Sequence, residues 1–146
     1  MAIRDFQFCH SFRVRYSEID GQKVVFNAHY LTYFDTAITE YFRWLPFDYM
    51  QYVEGSRYDF HTVRTVVEYK APVFFDEEIE VYVRVSNIRR SSLTFVVELY
   101  GKRDEKRLRT IGEVVWVHVD EVTGKPSSLN VNLVSRLQQR FKEIAL

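Results

Sequence analysis

Asp20 is the residue of this chain best placed to do chemistry. It stands in "YSEIDGQKVVFNAHYLTYFD", residues 16–35, where the hydrophobic period changes halfway through. Upstream, Phe12, Val14 and Tyr16 alternate as in a strand. Downstream, Tyr30, Phe34, Ala37, Tyr41 and Trp44/Leu45 recur as on one face of a helix. An acid on such a passage lies just before a helix N-terminus, whose first amides lack helical acceptors and whose dipole favours negative charge. There a carboxylate serves as general base or nucleophile, and the free amides serve a developing oxyanion. The plainer reading of a lone Asp in a loop is a turn or helix cap. Asn27 ends the loop and is the expected N-cap.

The elements that must position these groups follow from the pattern. Residues 10–17 read as a strand and 28–45 as a helix stopped by Pro46. A short helix or loop over 47–57 precedes strands at 62–69, 79–85, 93–101 and 108–119. "KRDEKR" (102–107) and "DEVTGKPS" (120–127) are turns, and "LVSRLQQRFKEIAL" is a final amphipathic helix. Short turns imply antiparallel pairing, and the apolar stripe of the long helix matches one sheet face. The expectation is an α+β fold in one domain, 1–146, with a five-stranded antiparallel sheet around a long central helix.

Composition narrows the function classes. The 146 residues suffice for one core, and a formal charge of zero gives no global bias toward nucleic acid or a membrane surface. Aromatic residues make up 16%, enough for a broad sheet face, a subunit interface or an apolar pocket. Cys9 is the single cysteine, so no internal disulfide forms, which fits a reducing cytoplasm. Charges interrupt "MAIRDFQFCH", which is therefore not a signal peptide, and no apolar run is long enough to span a membrane. His10, His29, His61 and His118 lack metal-ligand spacing, so no metal is expected. Ser91 and Ser92 lack a nucleophile-elbow context. Lys102, Arg103, Lys106, Arg107 and Arg109 read as a solvated hairpin face, and Glu40 as solvent-facing or paired with Arg43.

The stretch "RVRYSEIDGQKVVFNAHYLTYFDTAITEYF" resembles the opening of the hotdog-fold acyl-CoA thioesterases of the 4-hydroxybenzoyl-CoA thioesterase-like group. Asp20, Val25, Phe26, Asn27 and Tyr30 fall on the opening pattern of that family. "EYKAPVFFDEEIEVYVRV", "RRSSLTFVVELY" and "GEVVWVHVDEVTGKP" extend the likeness to roughly residues 10–140. The resemblance implies a hotdog fold and hydrolysis of a small to medium acyl-CoA thioester, and a pocket rich in aromatic side chains would suit an aromatic or medium acyl group. It implies Asp20 as base or nucleophile and the Asn27 backbone amide as oxyanion donor. It places Val25, Phe26 and Tyr30 on the substrate side, and Arg89 and Arg90 near the phosphates of the CoA nucleotide, while Tyr33, between Tyr30 and Phe34 around the helical wheel, is expected to line the acyl pocket. No cofactor is implied. A homodimer or homotetramer is, with the acyl pocket between subunits.

A close variant has acyl carrier protein deliver the substrate to a basic rim of Arg89, Arg90, Lys102 and Arg103. Lys23 departs from the pattern, since many relatives carry glycine there. It must take another turn or bear strain, unless Gly21 supplies the freedom. A loop that had lost turnover would leave a non-catalytic acyl-ligand-binding domain, which is the rival reading.

Overall fold

The computed structural model describes residues 5–145, with side chains described as far as Arg140. Strand β1 (Phe8–Arg13) leads through a 3-10 turn at Tyr16–Glu18 to the long helix α1 (His29–Trp44). Helix α2 (Tyr49–Gly55) follows, then strands β2 (Tyr58–Tyr69), β3 (Glu78–Ile88), β4 (Ser92–Gly101) and β5 (Leu108–Asp120). Strand β6 (Lys125–Pro126) and helix α3 (Val131–Ala145) come last. All pairings are antiparallel, in the order β1-β3-β4-β5-β2, with β6 beside β5. The five long strands expected from the sequence are present, and the two-residue β6 adds a sixth.

Two boundaries differ from the sequence reading. The first strand ends at Arg13 rather than residue 17, because Glu18 folds back onto Arg15 and closes a turn. Tyr16, read as sharing a strand face with Phe12 and Val14, is 76% exposed. Strand β2 starts at Tyr58, earlier than residue 62, because Tyr58–Thr62 finds partners on Asp120–Trp116 of β5.

The stripe of α1 is buried as read: Tyr30, Phe34, Ala37, Tyr41 and Leu45, joined by Tyr33, Ile38 and Phe42. Facing it are alternate residues of β3 (Ile79, Val81, Val83, Val85) and β4 (Leu93, Phe95, Val97, Leu99), all closed from solvent. That period of two is what a strand with one buried face requires. Burying each such side chain contributes about 1.5–3 kcal/mol. Phe34 seats against Gly112 of β5, where an added Cβ would lie 2.3 Å from the ring. The missing side chain therefore lets α1 approach β5. Leu129, Leu133 and Leu137 cover the core near α3, and the Arg140 guanidinium lies 4.3 Å from the centre of the Trp44 ring.

Strand β2 ends the sheet, and among the described residues nothing pairs with its outer edge. Midway along it a bulge falls between Thr62 and Arg64 and leaves Val63 58% exposed. Among the described residues no helix is long and apolar enough to cross a membrane.

Candidate active site

The chain turns sharply at Asp20. Ile19 and Val25 pair across a hairpin, the Asp20 amide donates to the Val24 carbonyl at 2.9 Å, and the Lys23 amide donates to the Asp20 carbonyl at 2.9 Å. A three-residue loop of this kind needs its last residue left-handed. Lys23 is that residue, at φ +65°. It takes the glycine conformation itself, and Gly21 does not relieve it, since Gly124 is the one described glycine at positive φ. A residue with a β-carbon pays about 1–2 kcal/mol there. The Lys23 side chain is exposed, so its removal loses little. Lys23→Gly is expected to stabilise the fold by a net of about 0.5–1 kcal/mol, after the extra freedom of glycine in the unfolded chain. A thermal melt reads this as a higher Tm, and an unchanged or lower Tm contradicts the strain.

The Asp20 carboxylate is half-buried, and its Oδ1 accepts the Gln22 amide at 2.8 Å. That is the turn-capping use of an Asp. Among the described residues its Oδ2 has no partner, so one oxygen shapes the turn and the other stays available.

Past the hairpin, the Val25 amide donates to the Val73 carbonyl at 2.8 Å and the Phe26 amide to the Glu18 carbonyl at 2.9 Å. The His29 amide turns back to the Phe26 carbonyl at 2.9 Å. Between them, the amides of Asn27 and Ala28 donate to no acceptor among the described residues. Asn27 is not the N-cap. Ala28 holds that position with helical angles (φ −69°, ψ −24°), and no side chain caps the helix. The chain enters α1 through a turn closed by backbone alone, and the two amides stay open.

Buried polar residues hold this segment from below. The Glu18 carboxylate, 4% exposed, accepts the Arg15 amide (2.8 Å), the Arg15 guanidinium (2.8 and 3.1 Å) and the Tyr33 hydroxyl (2.9 Å). Burial pushes its carboxyl up, but these hydrogen bonds and the Arg15 charge outweigh it and hold the group below its ordinary range. Burial, then the neighbouring carboxylate, push the Tyr33 phenol far above its ordinary value.

Arg109 is a correction to the sequence reading. It is not part of a solvated hairpin face but 3% exposed. Its guanidinium donates to the Pro72 carbonyl at 2.6 Å, pairs with Glu77 at 2.7 Å and meets Asp104. Its carbonyl accepts the amides of Lys70 and Ala71 at 2.8 and 3.1 Å. Arg109 thus pins residues 70–77, which supply the Val73 carbonyl to Val25 and bridge Val24 through Phe74.

The other residues picked from the sequence are scattered. Val25, Tyr30 and Tyr33 are 2–4% exposed and offer no wall to a ligand in one subunit, whereas Phe26 is 45% exposed. Arg89 and Arg90 are exposed on the turn before β4, and Arg90 donates to Ser128 Oγ at 2.9 Å. They lie at the far end of the ten-residue β4 from the Asp20 hairpin, about 30 Å at strand rise. Lys102 and Arg103 lie at the near end, each 3.1 Å from Glu78, so the four do not form one rim within a subunit. Glu40 pairs with Arg43 as read.

Two features were not located from the sequence. The Tyr69 hydroxyl donates to the Asn27 carbonyl at 3.1 Å across 42 residues. A cleft of 460 Å³ opens at the C-terminal end of α1, walled by Phe42, Phe47, Tyr49, Met50 and Trp116. That volume is in the range of small-molecule sites. Among the described residues no cluster of His, Cys, Asp or Glu has a metal-binding arrangement.

Known proteins share this design. Residues 14–137 match the family model of the thioesterase-like superfamily. The acyl-CoA thioester hydrolase YbgC of Escherichia coli O6:H1 is 31% identical over 127 residues, 87% of this chain and 92% of that protein. The 1,4-dihydroxy-2-naphthoyl-CoA thioesterase of Synechocystis superposes with a TM-score of 0.84 at 13% identity, over 90% of this chain and 95% of that one. The DHNA-CoA thioesterase of Staphylococcus aureus gives 0.82 at 23% identity, over 92% and 93%. At these identities the two structures establish the shared hotdog fold. Fold, opening motif and family match agree: the chain belongs to the thioesterase-like superfamily, and its reaction class is thioester hydrolysis.

Proposed function

We propose that the protein is an acyl-CoA thioesterase in which the Asp20 carboxylate serves as base or nucleophile and the Asn27 amide receives the oxyanion. One observation carries this reading: two unpaired amides open α1, reached through a hairpin whose carboxylate keeps one oxygen free. Addition at the thioester carbonyl puts negative charge on its oxygen, where free amides and the helix dipole stabilise it. The C–S bond then breaks, CoA leaves as thiolate and takes up a proton, and water supplies the second oxygen of the acid. The left-handed Lys23 keeps the loop in the shape a glycine would give it, which counts against a loop too altered for turnover.

The reaction takes place between two copies. Within one subunit Arg89 and Arg90 lie at the opposite end of β4 from the Asp20 hairpin, and β2 has an open edge. Antiparallel pairing of β2 with a second β2 turns about its midpoint, near Val63 and Arg64, and sets Tyr58 of one copy beside Tyr69 of the other. The second copy then brings its aromatic cleft and its Arg89–Arg90 turn to the Asp20 end. The acyl group enters that cleft, which suits an aromatic or medium chain, and the guanidinium groups take CoA phosphates. Lys102 and Arg103 are both engaged by Glu78, which leaves the Arg89–Arg90 turn as the basic contact and favours CoA phosphates over an acidic carrier protein.

A panel of acyl-CoAs tests the reading, with free thiol as the readout. Aromatic or medium acyl-CoAs are expected to be turned over. The double variant Arg89→Ala/Arg90→Ala is expected to raise KM by about tenfold with little change in kcat. An unchanged KM removes the phosphate contact. Tight acyl-CoA binding without thiol release from any member of the panel would replace the enzyme with a ligand-binding domain.

A further inference from the structure

We infer that Tyr69 is a positioning residue of the oxyanion site: its hydroxyl holds the peptide between Asn27 and Ala28 so that the Ala28 amide serves as a second oxyanion donor beside that of Asn27. The inference rests on the proposed function and adds a residue that neither the opening motif nor the helix pattern contains.

Tyr69 is the last residue of β2 and pairs with Thr110 of β5. Its ring stands edge-on to Tyr30, with centroids 5.1 Å apart and planes at 83°. Tyr30 is 3% exposed and lies in the first turn of α1, so the Tyr69 ring leans on a fixed surface. The side chain itself is 53% exposed, and its hydroxyl donates to the Asn27 carbonyl at 3.1 Å.

The Asn27 carbonyl and the Ala28 N–H belong to one planar peptide unit and point in opposite directions. Fixing the oxygen therefore aims the N–H. The neighbouring unit, which carries the Asn27 N–H, is tethered in the same way, because its Phe26 carbonyl accepts the His29 amide at 2.9 Å. The two units that carry the Asn27 and Ala28 amides are thus held by their carbonyl ends, one by the His29 amide and one by Tyr69. A hydrogen bond accepted at the carbonyl also polarises the unit and strengthens its N–H as a donor, by roughly 10–30%. Solvent would satisfy the same carbonyl but would not fix its direction.

The test is Tyr69→Phe, which keeps the ring contact with Tyr30 and removes only the hydroxyl. Loss of a whole oxyanion donor lowers kcat by about 10²–10³. Loosening a donor that stays in place is expected to lower kcat by about tenfold, with KM within about twofold of wild type and Tm unchanged. A second readout does not depend on turnover. The Ala28 amide nitrogen shares its peptide with the carbonyl that Tyr69 holds, so its NMR resonance is expected to shift in Tyr69→Phe. An Ala28 resonance that does not move, or a kcat within twofold of wild type, overturns the role. A raised KM at unchanged kcat also overturns it and makes Tyr69 a substrate contact. If the wild type hydrolyses no acyl-CoA, the proposed function fails and takes this role with it. An active wild type with an equally active variant removes Tyr69 alone.

Discussion

Asp20→Asn is expected to lower kcat by about a thousandfold while Tm and KM stay close to wild type. The substitution separates the two uses of this side chain. An asparagine Oδ1 still accepts the Gln22 amide, so the hairpin keeps its cap. What disappears is the charge, and with it the ability to take a proton or attack a carbonyl. Steady-state kinetics on the best acyl-CoA, beside a thermal melt, decides the matter. If the variant keeps activity within about tenfold of wild type, Asp20 is a turn residue and the chemistry lies elsewhere.

Arg109→Met is expected to destabilise the protein by about 3 kcal/mol, read as a lower urea midpoint. The methionine fills much of the space but leaves the Pro72 carbonyl, Glu77 and Asp104 without their cation. Breaking a buried pair from one side typically costs about 3–5 kcal/mol. The lower end applies because Glu77 and Asp104 retain 26% and 45% exposure. Activity is expected to fall as well, at temperatures where the variant is folded, because residues 70–77 brace the Asp20 hairpin through Val73 and Phe74. A loss of stability under about 1 kcal/mol contradicts the pinning role.

These two residues also mark how far the sequence could be read. Asp20 was legible because its neighbours are local: a period change, a short loop and a helix start all lie within twenty residues. The α1 stripe was legible for the same reason, and so were the inner residues of β3 and β4. Arg109 was not. In one dimension it ends a run of charges, and only the β3–β4–β5 pairing turns it inward onto Pro72 and Glu77. Tyr69 meets Asn27 where the end of β2 reaches the start of α1, and Tyr33 meets Glu18 across a turn whose 3-10 geometry the strand pattern concealed. Asn27 looked like a cap because its type suits one. The backbone turn at Phe26–His29 made a side-chain cap unnecessary, and that choice leaves the site its open amides.

The sheet also governs how this chain behaves in a crowd of its own copies. Its two borders are unlike: β1 has six residues and β2 has twelve. Joining β2 to β2 consumes the same border on both molecules and stops at two. Joining β1 to β2 leaves a fresh border after every addition and grows into a fibre. The mismatch in length works against the fibre, since half of β2 would stay unmatched, and the bulge and the charges of Arg64, Glu68 and Lys70 hinder casual strand addition. If two copies join through β2, damage to that strand would therefore cost solubility as well as the reaction.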